Sequence, residues 1–571
     1  MGSDDDDIRY RSLSENSALL PDKIQIIKPL EIPADKSFRQ TRRAFAHEAR
    51  AIWKMAWKVS LVTVCQTSLP TICAAFLGHL GSNELAGSAL ANIWISGVQV
   101  VIYGFAVALC TLCGQAYGAQ NYELVGIWLQ LGILFLTLFS IPVCISFFYV
   151  EHIFVYLCDD PVVLGFASTY AKYSALSIWP QCVYYALRQY FQAQEIVTPA
   201  TVISVLSVFV CVGANKYLIY GMEGVFPGLG FIGSPLAQFV ASIFQPLALI
   251  LYSCFFRRHH EKTWYGFTWE CLAPDRVKRF LSLSLGMTLN MAMDEWVYSF
   301  ATSLASYLGP TVLSANSIIY NLWNLVFGIY WGFGLPTQVR TANFLGSYQP
   351  DRAKRTMYVG FALGATASVG SALIVYLLRY PIVDAFTPDP DLQATIHIAL
   401  PIFCIAVSIS GLHLVLAAVV EGMSLASTLV CITGVGSWAI LLPAAYLFGV
   451  VWNGGLPGLW WGSVLGEFAK FAMMAHFLLR IDWEEMGILA VKMSEGEMDD
   501  EEIEEDVIRR MTRSMSTPSL LSNPVLSNFS TPQQVRPHHR LSEDERMTHL
   551  LAAAAAKAAT PRNNYRTADS L

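Results

Sequence analysis

Asp294 and Glu295 are adjacent carboxylates in an otherwise apolar stretch, Phe280 to Leu308. As a helix it is long enough to cross the roughly 30 Å hydrocarbon core of a bilayer. One charge at such depth costs at least about 2.5–3.5 kcal/mol, so it is expected to face a protein-lined cavity or a partner inside a bundle. In a cavity, an organic cation or a proton can each neutralise the carboxylate. Occupancy by one excludes the other, which is the elementary requirement for exchanging them across a membrane. Successive residues lie about 100° apart around a helix, so Asp294 shares its face with Asn290 and not with Glu295. Asp294 therefore either loads the same cavity unevenly or faces another helix.

Other polar side chains accompany the pair. Asn316, Tyr320, Asn321 and Asn324 surround Trp323 at helical spacing in the next apolar segment, and Gln66 lies in the first. Such amides would bind substrate or tune the carboxylate, or would hydrogen-bond between helices for about 0.6–2 kcal/mol each. Trp296, Tyr298, Tyr320 and Trp323 offer cation-π surface worth about 0.5–2 kcal/mol apiece, or pack. Glu467 and Lys470, three apart, are expected to neutralise each other. No cluster with metal-ligand spacing, nucleophile triad or phosphate-binding loop is present, so neither an enzyme nor a bound cofactor is expected. The expected ion is a coupling ion, a proton or sodium.

The elements that must position these groups are membrane helices. Of 571 residues, 54% are hydrophobic and 14% charged, whereas soluble domains carry about a quarter of charged residues. Twelve segments of about 18–25 apolar residues can be drawn, the first centred near Thr67 and the last near Phe468. Runs of this length are too long for barrel strands, so an all-α polytopic fold is predicted. Most of the twelve cysteines, such as Cys65, Cys110, Cys113, Cys182 and Cys431, lie inside these segments and read as small core residues.

Basic residues cluster at one set of segment ends: Arg39, Arg42, Arg43 and Arg50; Arg257, Arg258, Arg276, Lys278 and Arg279; Arg352, Lys354 and Arg355. The opposite connections, Gly78 to Glu84, Gly221 to Gly228 and Tyr307 to Thr311, contain no Lys or Arg. Both termini are therefore expected in the cytosol. The first 38 residues lack the hydrophobic core of a signal peptide. Asp6 stands where lipidation at Gly2 would require Ser or Thr.

The chain also repeats itself. Gly81 and Gly309, Leu85 and Leu313, Gly104 and Gly332, and Gly118 and Gly346 all differ by 228 positions. An even repeat of six helices keeps both halves in one orientation, which is the plan of transporters that bind between repeats and rock them. The predicted organisation is a cytosolic tail over 1–50, an N-lobe of six helices over 51–256, a linker over 257–279, a C-lobe of six helices over 280–481 and a disordered tail over 482–571.

Thr111-Leu112-Cys113-Gly114-Gln115-Ala116-Tyr117-Gly118-Ala119, followed by Asn121, resembles the signature of the multidrug and toxic compound extrusion (MATE) family, particularly its eukaryotic branch. Gly78-His79-Leu80-Gly81, Gln192-Ala193-Gln194 with Pro180 and Pro199, Val339-Arg340 with Asn343 and Gly346, Leu442-Pro443 and Gly458-Leu459-Trp460 are similar to its motifs in the same order. The resemblance runs from about Ile52 to Leu479. It implies twelve helices in two pseudo-symmetric bundles and alternating-access antiport, exporting organic cations, xenobiotics or amphipathic metabolites for protons. It assigns Glu295-Trp296 to the family's acidic motif in the seventh helix and makes Glu295 the principal coupling residue, with Asp294 its neighbour. Two positions depart from the pattern. Phe300 stands where many relatives carry a second Glu, and Ser410 and His413 stand where an acidic residue and a Gln are frequent. His413 would relay protons or serve as a hydrogen-bonded structural residue. Gly114, Gln115, Tyr117, Gly118, Arg340 and Gly346 are expected to form a cytosolic latch between the lobes, and Glu421 a loop or latch position. A sodium-coupled exporter and a lipid-linked precursor flippase remain as alternatives. The flippase would require a cationic cavity, which the acidic residues oppose, and the repeat with its ordered motifs opposes a receptor or channel.

Glu15 with Leu19-Leu20 fits an acidic dileucine adaptor signal, directing the protein to an endolysosomal or vacuolar membrane, with the plasma membrane equally open. Ser516 in Arg513-Ser514-Met515-Ser516-Thr517-Pro518 would, once phosphorylated, resemble a 14-3-3 site.

Overall fold

The computed structural model describes residues 37–155, 160–222 and 227–495. The dileucine signal, Ser516 and the acidic run after Glu495 lie outside them. Twelve long helices follow in order: α1 (Ser37–Gly78), α2 (Ser82–Gly118), α3 (Tyr122–Phe154), α4 (Pro161–Ala193), α5 (Thr198–Tyr220), α6 (Gly233–Ile250, with a wider π turn over Leu251–Phe256), α7 (Pro274–Tyr307), α8 (Pro310–Gly346), α9 (Pro350–Leu377), α10 (Pro390–Gly422), α11 (Ala426–Val451) and α12 (Gly455–Arg480). A short helix, Arg379–Phe386, precedes α10, and a terminal helix, α13 (Trp483–Glu495), follows α12.

Local sequence explains many of the ends. Proline occupies the first turn of α4, α7, α8, α9 and α10, where its missing N–H costs nothing. Asn121, Asp160 and Asp389 cap α3, α4 and α10 by accepting from Leu124, Val162 and Asp391 N–H groups. Among the described residues nine helices are long and apolar enough to cross a bilayer. The other three of the twelve, α4, α7 and α12, have 33, 34 and 26 residues, lengths that also span. Their lower hydropathy reflects polar groups turned into the protein, including Arg188, Asp294 and Lys470.

Packing reproduces the internal repeat. Within the N-lobe α2 lies on α4, α1 on α5, and α5 on α6; within the C-lobe α8 lies on α10, α7 on α11, and α11 on α12. Between lobes, α1 packs on α8 and α2 on α7, two contacts that exchange under the repeat. The matched glycines sit at these contacts. A Cβ on Gly104 would strike Thr288, and one on Gly332 would strike Ser60, a pair of partners again 228 positions apart. Gly118 rests on the Asn343 backbone and Gly346 on the Gln115 backbone, with the same offset. The glycines thus let α2 and α8 cross at backbone contact, a closeness that a side chain would forbid.

Three boundaries differ from expectation. α1 begins at Ser37 rather than 51, because no Pro or Gly interrupts the Ala-rich stretch after it. The linker is already helical from Pro274. Residues 483–495 are not a disordered tail: Trp483, Met486, Ala490 and Met493 form a buried stripe that seats α13 against α8, α9 and α2. Asp482 starts this helix by accepting from Glu484 and Glu485 N–H groups. Among the described cysteines Cys65, Cys110, Cys113 and Cys182 are buried free thiols, whereas Cys431 is exposed.

Gly346→Val should collide with the Gln115 backbone and lower stability by about 1–3 kcal/mol, visible as a reduced thermal unfolding midpoint in detergent. Gly97→Ala, where a Cβ meets nothing, should leave the midpoint unchanged or slightly raised.

Candidate functional site

The lobes meet tightly at one membrane face, here called basal, where α2 and α8 end and α13 lies. Arg340 on α8 is buried and grips Glu48 on α1 with Nε and Nη2 at 2.5 and 2.9 Å, while Nη1 reaches Glu195 at 2.6 Å. Thr356 also donates to Glu48 at 2.9 Å. Gln115 donates to the Gly422 carbonyl at 3.1 Å, Thr111 to the Glu421 carbonyl at 3.0 Å, and Gln338 to Thr111 at 3.0 Å. Asn121 donates to the Ser494 carbonyl, and Arg279 donates to that of Met493, so α13 straps α3 and α7 together. Gly114, Gly118 and Gly346 lie at the helix crossing. Tyr117 instead packs against Tyr122 with tilted rings whose centroids are 5.5 Å apart, within the N-lobe.

Above the crossing the lobes part. Gly328 and Gly332 on α8 touch α1, and the same helical face continues as Asn324, Asn321, Ser317 and Ser314, all exposed. The repeat-related face of α2 continues from Gly104 to Ser96, Ile93, Ala89 and Ala86, also exposed. A cleft therefore separates the lobes, polar on its C-lobe wall and mostly apolar on the other. Glu295 stands at its edge. It lies seven positions beyond Thr288 on the α7 face that meets Gly104, is half-buried, and accepts a 3.3 Å hydrogen bond from the Tyr320 hydroxyl. Ser299 and Ser303 extend that face outward and are exposed.

Asp294 turns the other way, into the C-lobe. Its Oδ1 accepts from Ser437 of α11 at 2.8 Å and from Lys470 of α12 at 2.9 Å. Lys470, only 2% exposed, also contacts Glu467 Oε1 at 2.8 Å. Tyr298 donates to that same oxygen at 2.8 Å, and His413 Nδ1 lies 3.7 Å from Glu467 Oε2. With neutral imidazole, two carboxylates and one ammonium leave this buried group with one net negative charge. The wider π turn of α11, Gly434–Leu441, brings both Ser437 and Trp438 onto α7, Trp438 donating to the Met293 carbonyl at 3.1 Å.

The remaining candidates divide. Tyr320, Asn321 and Asn324 stand at the cleft, Asn324 donating to the Tyr320 carbonyl at 3.2 Å. Asn316 is buried and donates to Thr302 at 3.3 Å, joining α8 to α7. Ser410 is buried in α10, and Gln66 is half-buried in the N-lobe beside Tyr184. Phe300 packs edge-on against Trp438, ring centroids 5.5 Å apart. Glu467 and Lys470 were expected to satisfy only each other; the structure adds Asp294, Tyr298 and His413. Glu48 and Glu195 were missed as latch residues. The legible signal for Glu48 was one acid among four arginines, and for Glu195 it was an acid directly after the Gln192-Ala193-Gln194 motif.

Twelve long helices, two pseudo-symmetric lobes and a cleft sealed at one face define a multi-pass membrane transporter rather than an enzyme. The MatE family model matches residues 59–216 and again 287–447, its two starts separated by the repeat interval of 228. The chain belongs to the MatE family. It is similar to multidrug and toxin extrusion protein 1 of Mus musculus, at 28% identity over 443 residues covering 77% of this chain and 76% of the relative. It is also similar to Protein DETOXIFICATION 38 of Arabidopsis thaliana, at 27% identity over 442 residues covering 76% and 86%. The crystal structure of the eukaryotic MATE transporter AtDTX14 superposes with a TM-score of 0.73 at 22% identity, over 79% of this chain and all of that one.

Lys470→Met would strand the buried Glu467 and half-buried Asp294 carboxylates and should cost about 3–5 kcal/mol. Combining it with Glu467→Gln should recover part of that loss, as measured by a double-mutant cycle in thermal or denaturant unfolding.

Proposed function

We propose that the protein is a proton-coupled antiporter that exports organic cations or amphipathic metabolites. The observation that carries the reading is Glu295, a carboxylate on the cleft wall that, among the described residues, accepts a side-chain hydrogen bond from Tyr320. A cation in the cleft can reach it between the aromatic face of Tyr320 and the amides of Asn321 and Asn324. A proton on Glu295 removes the attraction and releases the cation, so the two ligands alternate.

The adjacent Asp294 group supports a second proton acceptor on the far side of α7. Its one net negative charge is shielded by Lys470, which leaves it poorly placed to hold an organic cation and well placed to take a proton from Glu295 through local rearrangement. With both termini in the cytosol, the latched basal face is cytosolic and this state opens outward. Chemistry of the cleft opposes phosphate cargo, since its C-lobe wall offers a carboxylate and amides.

Proteoliposomes loaded at acid pH and diluted into alkaline buffer should accumulate a fluorescent organic cation inside, as protons leave through the same protein. Glu295→Gln should abolish this gradient-driven uptake while the variant stays folded. Uptake that ignores the pH gradient but follows an imposed sodium gradient would replace the proton by sodium. Full transport by Glu295→Gln would remove Glu295 from the coupling site.

A further inference from the structure

A cavity of about 560 Å³ lies on the basal side, lined by α1, the turn between α4 and α5, the end of α6 and Arg340 of α8. None of the cleft residues lines it. Its α1 wall presents His47, Arg50, Lys54 and Lys58 on one helical face, and Arg257 and His259 close it from the end of α6. Arg50, Lys54 and Lys58 are like charges at four-residue spacing, an arrangement that destabilises a helix unless something compensates it. Glu195 is the acid in the lining, and its carboxylate already engages Arg340 at 2.6 Å.

A second observation points the same way. Ile196, Val197, Thr198 and Pro199 put the N-terminus of α5 in the cavity wall. Val197 gives this 23-residue helix no side-chain cap and Pro199 in its first turn carries no N–H, so the positive end of its dipole stands uncapped in the cavity wall. Lys58 nevertheless donates to Thr198 Oγ1 at 2.7 Å, holding an ammonium against that positive helix end. Burial and neighbouring Arg257 both hold the His259 imidazole below the usual histidine range, as expected where positive charge is already in excess.

We propose that this cavity binds a phosphate-bearing anion, with the α1 cations, Arg257 and the open N-terminus of α5 as its partners. Phosphate fits better than a single carboxylate because the cations line more than one wall of the cavity, and a phosphate offers three acceptor oxygens and more than one charge. Arg340, the C-lobe residue in the lining, is already held by Glu48 and Glu195, so the proposed partners all belong to the N-lobe and the start of the linker. The phosphate can belong to a lipid headgroup or to a soluble molecule, and both present the same chemistry.

The full-length protein in detergent can be titrated with two probes, dioctanoyl phosphatidylinositol 4-phosphate and inositol 1,4-bisphosphate. Saturable binding of either probe supports the site; preference for the lipid identifies a membrane source, and equal binding identifies the headgroup alone. Lys54→Gln and Arg257→Gln remove exposed cations and should each weaken binding about fivefold without shifting the unfolding midpoint of the unliganded protein. Arg352→Gln, on the same face but outside the cavity, should leave binding unchanged. The proposal is overturned if neither probe binds, if the cavity variants bind as well as the parent, or if Arg352→Gln weakens binding as much as they do. Capture of an acidic peptide spanning residues 495–506, with both phosphate probes excluded, would overturn it as well.

Discussion

The backbone crossing of α2 and α8 is the constraint on which the rest of the molecule depends. Because Gly118 and Gly346 each lie on the other helix's backbone, the lobes can approach closely enough for Arg340 to reach Glu48 and Glu195, and for Gln115 to reach the end of α10. Moving the helices apart by the width of one side chain would break these bonds together. Sealing the basal side so tightly leaves the same helix faces to diverge toward the other side, and that divergence is the cleft. One set of glycines therefore both closes one face and opens the other.

Within this frame α7 separates two kinds of acidic chemistry. Glu295 looks into the cleft with a single weak hydrogen bond, whereas Asp294 is held by an ammonium and a hydroxyl inside the C-lobe. Buried ion pairs of the second kind roughly break even energetically, because desolvation offsets attraction. Their value here lies in holding a proton-accepting charge behind the cleft wall without leaving it uncompensated. The seven-position step from Thr288, at the lobe crossing, to Glu295 ties the open carboxylate to the same helix face that forms the seal.

Much of this was legible in the residues themselves. Apolar runs marked the membrane helices because the bilayer demands them, and the 228-position offset survived at glycines because close backbone contact tolerates nothing larger. Glu295 and Asp294 stood out as charges in apolar sequence, and their 100° separation made unequal roles expected. What sequence spacing could not show was the partner across space. Lys470 lies 176 positions from Asp294 and looked adequately neutralised by nearby Glu467. Asn316 and Asn321 share a helix, yet one turns inward and the other to the cleft, a difference set by tertiary packing. α13 was hidden because its apolar stripe is short and flanked by acids, so composition pointed to a tail while its burial against α8 makes it a strap.

The central claim is that an organic cation and a proton compete for Glu295, and its most direct test is proton release on binding in the absence of any gradient. Calorimetric titration of a permanently charged quaternary ammonium cation into the purified protein, repeated in buffers of different ionisation enthalpy, counts that release. Between the pH at which Glu295 is fully protonated and that at which it is fully ionised, the account predicts release approaching about one proton per cation bound, and its loss in Glu295→Gln. Tight cation binding with no proton released at any pH in that range would contradict it.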